Sequence, residues 1–314
     1  MSTKKKATRV SYGEALKELG SEHEDLVVLE ADLASATKTD IFRAAFPDRH
    51  IECGIAEQNM YDIAAGMSTA GLVPFASTFA MFSAGRAYEM IRNTIGYPHL
   101  NVKIAATHGG ISVGEDGASH QCCEDFGLMR LIPGMIVMCP CDDAETKAMV
   151  RWAYEYQGPV YMRFSWAACA AVHEDGYVFE PLKAEVLRDG KDCAVIAAGL
   201  MVSEALLAAE ILEQEGISVR VLNMHTIKPL DEEAVIRAAQ ECGCIVTAEE
   251  HSVIGGLGEA VCACISENCP VPVKRIGVND AFGHSGPAAQ LMKEFGLSAD
   301  HIVSAVRELA GRKH

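Results

Sequence analysis

The residue with the clearest chemical potential in this sequence is Glu57. It opens a helical stretch in which Met60, Ala64 and Met67 recur at steps of three and four, so its carboxylate shares the apolar face. A carboxylate on such a face is costly unless something hydrogen-bonds it. The helix alone leaves two readings open: a first-turn glutamate that complements the helix dipole and points to water, or a sheltered acid–base group. Downstream, Phe79 and Phe82 are spaced to share a helix face, as plain core or as an aromatic wall. A loop at 108–121 carries His108, Glu115, Asp116 and His120 among several glycines. The glycines suggest a phosphate cradle, but Glu115 and Asp116 would repel an anion. The imidazoles and carboxylates have no recognised metal spacing and suit sugar hydroxyls and their proton transfers. Arg163 and Arg9 add guanidinium forks that suit phosphate, although Arg9 also reads as a terminal surface charge.

Helical and strand periods alternate almost throughout the chain. The first half reads as helix at 12–19, strand at 26–29, helices at 39–46 and 57–70, and strands at 73–76, 102–106, 135–138 and 160–162, with a helix at 142–156 capped by Asp142 or Asp143. After a polar, loop-rich stretch the second half repeats the alternation, from a strand at 194–198 to a final helix at 298–309. This predicts an α/β protein of two domains, each a mostly parallel sheet flanked by helices: 1–175, a linker at 176–191, and 192–314. Ligands gather at the carboxyl ends of parallel strands, where Asp32, His108 and Arg163 fall. Gly255-Gly256-Leu257-Gly258 opens a helix and reads as close backbone packing more than as an anion cradle.

The chain has 314 residues, 49% hydrophobic and 22% charged, and a net charge of −16. That is a soluble globular composition, and its acidity argues against nucleic acid or an anionic membrane as partner. The basic run Lys4-Lys5-Lys6 is expected to be frayed. No signal peptide pattern is visible, so the 12 cysteines read as buried cytosolic thiols and the expected location is cytoplasmic. The uncharged stretch 63–84 contains Gly66, Gly71 and Pro74, which favours a helix, a turn, a buried strand and a second helix over a membrane span.

Several of these segments together resemble the transketolase family. Gly54-Ile55-Ala56-Glu57-Gln58-Asn59-Met60 resembles its GI-x-E-x-x-M signature, and Thr78-Phe79-Ala80-Met81-Phe82 its TF-x-x-F. The 108–121 loop resembles H-x-x-x-x-x-GEDG-x-x-HQ. The resemblance implies that Glu57 hydrogen-bonds N1′ of the aminopyrimidine of thiamine diphosphate, favouring the imino tautomer that activates the thiazolium. It implies that Phe79 and Phe82 wall the pyrimidine, that His108, Asp116 and His120 contact substrate with the histidines aiding proton transfer, and that Arg163 and Arg9 hold sugar phosphate. Asp32, in an ADL loop, would support the cofactor site; Ser35 matches a substrate position more loosely. Phe282-Gly283-His284-Ser285-Gly286 resembles the family's FG-x-SG turn, and His225, His251 and His284 read as structural or surface residues.

The resemblance covers the pyrimidine-binding and C-terminal domains only. The Gly-Asp-Gly of the diphosphate-binding domain does not occur. A partner N-terminal chain is therefore expected to supply the diphosphate grip and the Mg²⁺ ligands, in an α2β2 heterotetramer, with no metal held by this chain. The expected reaction moves a two-carbon ketol unit from a ketose phosphate to an aldose phosphate. Gly109-Gly110 after His108, where many one-chain relatives have Asp-Ser, leaves the donor open, sulfo- and branched sugars included. Competing readings are a β-type subunit of a 2-oxoacid dehydrogenase, a 1-deoxyxylulose-phosphate synthase-like chain, and a non-catalytic regulatory paralogue.

Overall fold

The structure, a computed structural model, describes residues 5–174 and 176–311. Its strands are β1 (Lys5–Ala7), β2 (Leu26–Glu30), β3 (His50–Glu52), β4 (Val73–Phe79), β5 (Lys103–Thr107), β6 (Ile136–Met138), β7 (Val160–Phe164), β8 (Ala168–Ala170), β9 (Glu185–Arg188), β10 (Cys193–Ala197), β11 (Val219–Asn223), β12 (Thr226–Lys228), β13 (Ile245–Ser252) and β14 (Val273–Val278). They form a seven-stranded sheet in the order β12-β6-β7-β5-β4-β2-β3 and a five-stranded sheet in the order β14-β13-β10-β11-β9. Pairing is parallel except at the edge strands β12 and β9. The central strands β2, β4, β5 and β7 are buried along their whole length, which is why they read as continuous apolar runs.

Three features differ from the sequence reading. Lys5 and Lys6 are not frayed: β1 pairs antiparallel with β8, and the Lys6 ammonium lies 2.6 Å from Glu14 and 2.9 Å from Asp143. The stretch 176–191 is more than a connector, since β9 within it pairs with β11; position 175, where the first domain was expected to end, lies outside the described residues. β12 comes from the second half of the chain yet extends the first sheet by pairing with β6. One apolar cluster accordingly runs from Met60 and Ile104 in the first half to Leu222 and Val261 in the second.

The stretch 63–84 forms part of the helix Glu57–Thr69, an exposed turn, the buried β4 and then a helical run whose turns at Phe82–Arg86 and Ile91–Gly96 are π-type. Among the described residues no helix is long and apolar enough to cross a membrane. All 12 cysteines are free thiols and most are buried.

Candidate active site

Glu57 is the first residue of its helix, and its side chain is only 2% exposed. Its Oε1 accepts a hydrogen bond from the Arg86 Nη1 at 2.6 Å. Its Oε2 is buried with no partner. Burying one carboxylate oxygen without a bond is unfavourable, and no described residue donates to this one. The Arg86 guanidinium carbon lies 4.4 Å from the centroid of the Phe82 ring, placing Glu57 and the aromatic pair around one arginine.

Phe79 is the last residue of β4 and not part of a helix, so the two phenylalanines do not share a helical face as the spacing suggested. The bend at the strand end nevertheless stacks them, with centroids 5.5 Å apart. The wall continues through both loop histidines. His108 stacks on Phe79 at 3.8 Å, and His120 meets Phe79 and Phe82 edge-on at 6.0 and 5.4 Å. His108 follows β5 in a left-handed conformation, φ 58°, which turns its ring back over the strand end. Thr107 Oγ1 lies 2.8 Å from its Nδ1. Burial, then Arg9 and His120, lowers the His108 pKa to about 3, so the imidazole is neutral at physiological pH. His120 is half-buried, with Nδ1 2.9 Å from Ser119 Oγ, and Asp116 is exposed on the same loop.

Arg9 reaches this cluster because its helix, Thr8–Glu22, starts against the end of β7, where the Ser165 N–H donates to Thr8 Oγ1 at 2.7 Å. Its Nη1 donates to the Ala36 carbonyl at 2.5 Å, beside the exposed Ser35, and its guanidinium lies 5.9 Å from the Trp166 ring centroid. Asp32, φ 62°, is exposed on the loop after β2. Its N–H and that of Gly54 both donate to Glu52 Oε1 at 2.8 Å, which ties the Asp32 loop to the turn before Glu57.

Arg163 is placed otherwise than expected. It is 3% exposed and faces the domain junction, not the mouth of the site. Its Nε lies 3.3 Å from Asp125, its Nη2 donates to the carbonyls of Cys122 and Glu250, and its guanidinium stacks 4.6 Å from the Phe126 centroid. These contacts take its Nε and Nη2 and turn the guanidinium toward the domain junction, away from the phosphate-gripping position that the sequence suggested. The same contacts account for Gly109-Gly110. A Cβ on Gly109 would fall 1.8 Å from Arg163 Nε, and one on Gly110, φ 84°, would fall 2.3 Å from the Glu250 carboxylate.

The loop is braced from the second domain as well. Gln121 Nε2 donates to the carbonyls of Ile111, Gly114 and His284, and Glu250 Oε1 accepts the Ser112 N–H at 2.5 Å. His251, buried and stacked 5.1 Å from Phe126, and His225, buried against Phe179, are structural; His284 is exposed and bonded to Glu294. The glycine-led helix start at 256–258 is no open anion site, because its Leu257 and Gly258 N–H groups are taken by Glu249, each at 2.7 Å. Sequence reasoning missed Arg86 and Glu250. Arg86 had a signal, since it stands one helical step beyond Phe82 and carries a charge within an apolar run. Glu250 had none, because its partners are distant in sequence.

The family models for "Transketolase, pyrimidine binding domain" and "Transketolase, C-terminal domain" match residues 4–169 and 182–302. The chain belongs to the transketolase family. A "Putative transketolase C-terminal section" from Methanocaldococcus jannaschii is 49% identical over 96% of both chains. A "6-deoxy-6-sulfo-D-fructose transketolase subunit" from a Clostridium species is 42% identical over 98% of this chain and 95% of that one. A solved structure described as a split gene transketolase, inactive beta4 tetramer, superposes with a TM-score of 0.91 at 52% identity, covering 98% of this chain and 99% of that one. This transketolase-family chain therefore corresponds over nearly its whole length to the C-terminal section of a split transketolase. The family depends on thiamine diphosphate. The unpartnered Glu57 Oε2 beside an aromatic wall fits the pyrimidine end of that cofactor.

Proposed function

We propose that this chain provides the pyrimidine half of a ketol-transferring active site, completed by a partner subunit that holds the diphosphate and Mg²⁺ in an α2β2 assembly. When bound, thiamine diphosphate supplies the carbon nucleophile and the electron sink for breaking and forming the C–C bond. Glu57 offers its free Oε2 to the ring nitrogen and shares a proton there. Phe79 and Phe82 flank the ring and exclude water. His108, neutral, and His120 exchange protons with substrate oxygens, with Asp116 beside them on the loop. Arg9 binds the anionic tail of the donor, and Ser35 and Asp32 border the entrance. The first domain ends near residue 175, and the second takes in β9 ahead of residue 192, because β9 pairs with β11.

The substrate is a ketose phosphate and the acceptor an aldose phosphate. A relative named for a sulfo-sugar makes a sulfonate the natural second donor to assay, because Arg9 suits either anion. The observation that carries this reading is the buried, half-satisfied carboxylate of Glu57. The test is co-expression with the N-terminal subunit and an assay of two-carbon transfer between sugar phosphates. Glu57→Ala should lower turnover by about three orders of magnitude or more while the subunits still assemble. Undiminished transfer by that variant would overturn the reading.

A further inference from the structure

We propose that Arg86 is a positioning residue for Glu57: its guanidinium occupies one carboxylate oxygen from the solvent side and so fixes the orientation in which the other is presented to the cofactor ring. This rests on the reading of Glu57 given above. Three observations converge on it. The contact is short, 2.6 Å, and goes to Oε1 alone, leaving Oε2 buried and unpartnered. The arginine is held on both sides, by the Phe82 ring 4.4 Å away and by the Gln58 Nε2 bond to its own carbonyl, so it moves with the aromatic wall and with the start of the Glu57 helix. It also closes a π-type turn, Phe82–Arg86, two residues after β4; such wide turns displace one residue from the helical path, and here the displaced run ends on the arginine that meets Glu57.

The competing account is an ordinary surface ion pair. Arg86 is 48% exposed and a pair between two exposed groups contributes little, but its partner here is 2% exposed. A carboxylate free to rotate about its last bond could turn either oxygen toward the ring or away from it. The guanidinium removes that freedom before the cofactor arrives, which is the physical basis of preorganised binding.

The experiment is calorimetric titration of thiamine diphosphate, with Mg²⁺, into the complex of this chain with its N-terminal subunit. Wild type, Arg86→Gln, Arg86→Lys, Glu57→Gln and the Arg86→Gln/Glu57→Gln double variant are compared, with melting temperatures of each chain as a control. The expected result is a loss of affinity of about tenfold for Arg86→Gln, substantial recovery in Arg86→Lys, and no further loss when Arg86→Gln is added to Glu57→Gln. The melting temperature of Arg86→Gln should stay near wild type, because half of the side chain is in water. Unchanged or tighter binding by Arg86→Gln overturns the inference, as does an equal loss in both backgrounds. Unchanged binding by Glu57→Gln overturns the functional reading itself, so the two failures are distinct.

Discussion

At the scale of the residue, burial beside a second carboxylate shows most clearly at Glu30. Glu30, at the end of β2, is fully buried; burial and the nearby Glu52 raise its pKa to about 8, against a bond from the Leu33 N–H that lowers it. Its Oε1 has no partner among the described residues, and Tyr12 stands near it from the first helix. Because the folded pKa lies above the unfolded value, the folded chain binds more protons between about pH 4.5 and 8, and stability falls as pH rises through that window. Glu30→Gln should flatten this part of the stability–pH curve and raise stability at pH 8–9 by on the order of 1–3 kcal/mol, read by urea denaturation at several pH values. A slope unchanged in the variant would assign the dependence elsewhere. The sequence offered Glu57 through its place on an apolar stripe and the loop histidines through their motif. It offered no sign of the Glu30–Glu52 pair, because the proximity arises only when β2 and β3 pair in parallel.

At the scale of the element, the helices and central strands were legible because each carries its period in adjacent residues. The predicted helix at 142–156 is observed as Asp143–Glu155, capped by Asp142, and the strand at 26–29 as β2. The short antiparallel edges β1, β8, β9 and β12 were not legible. Segments of three or four residues have no measurable period, and their pairing is decided by tertiary contact. The cap shows how an element is locked to the rest. Asp142 accepts the N–H groups of Glu145, Val172 and His173, and lies 3.1 Å from the His173 ring, whose other nitrogen is 2.8 Å from Glu185. Burial alone would lower the His173 pKa, but Asp142 and Glu185 raise it to about 10. The stabilisation is therefore full below about pH 6.5 and is lost as pH rises through about 10. Asp142→Ala removes the cap and one of the two carboxylates, and should cost about 2–3 kcal/mol near neutral pH. The loss should shrink toward pH 10–11, where the wild type has already given up the ionic part. Thermal melts across pH 6–11 measure both. A pH-independent loss would reduce Asp142 to a helix cap.

At the scale of the whole molecule, two sheets are joined by one shared apolar cluster, by β12 crossing to the first sheet, and by Arg163. The sequence placed Arg163 correctly at the end of β7 but could not show which way it points. A strand end borders both the ligand crevice and the neighbouring domain, and the choice between them is made by tertiary partners distant in sequence, Asp125, Phe126 and the second domain's Glu250. In the structure the guanidinium neutralises Asp125 directly and lies among Glu250, Cys122 and Phe126, under the Gly109-Gly110 backbone that begins the substrate loop. Removing a buried partner of this kind leaves a carboxylate uncompensated, which typically costs about 3–5 kcal/mol. Arg163→Met should thus lower stability by about that amount and replace one cooperative unfolding transition with two, because the loop and the domain junction lose the same support. Arg163→Lys keeps the charge but cannot reach Asp125, the Cys122 carbonyl and the Glu250 carbonyl at once, so it should recover only part of the loss. A phosphate-gripping arginine would behave in the opposite way: both variants would melt normally and raise KM for phosphorylated sugars alone. Differential scanning calorimetry of this chain, set beside KM values for phosphorylated and unphosphorylated donors in the assembled enzyme, separates the two roles. A normal melt with a phosphate-specific rise in KM would return Arg163 to the substrate site.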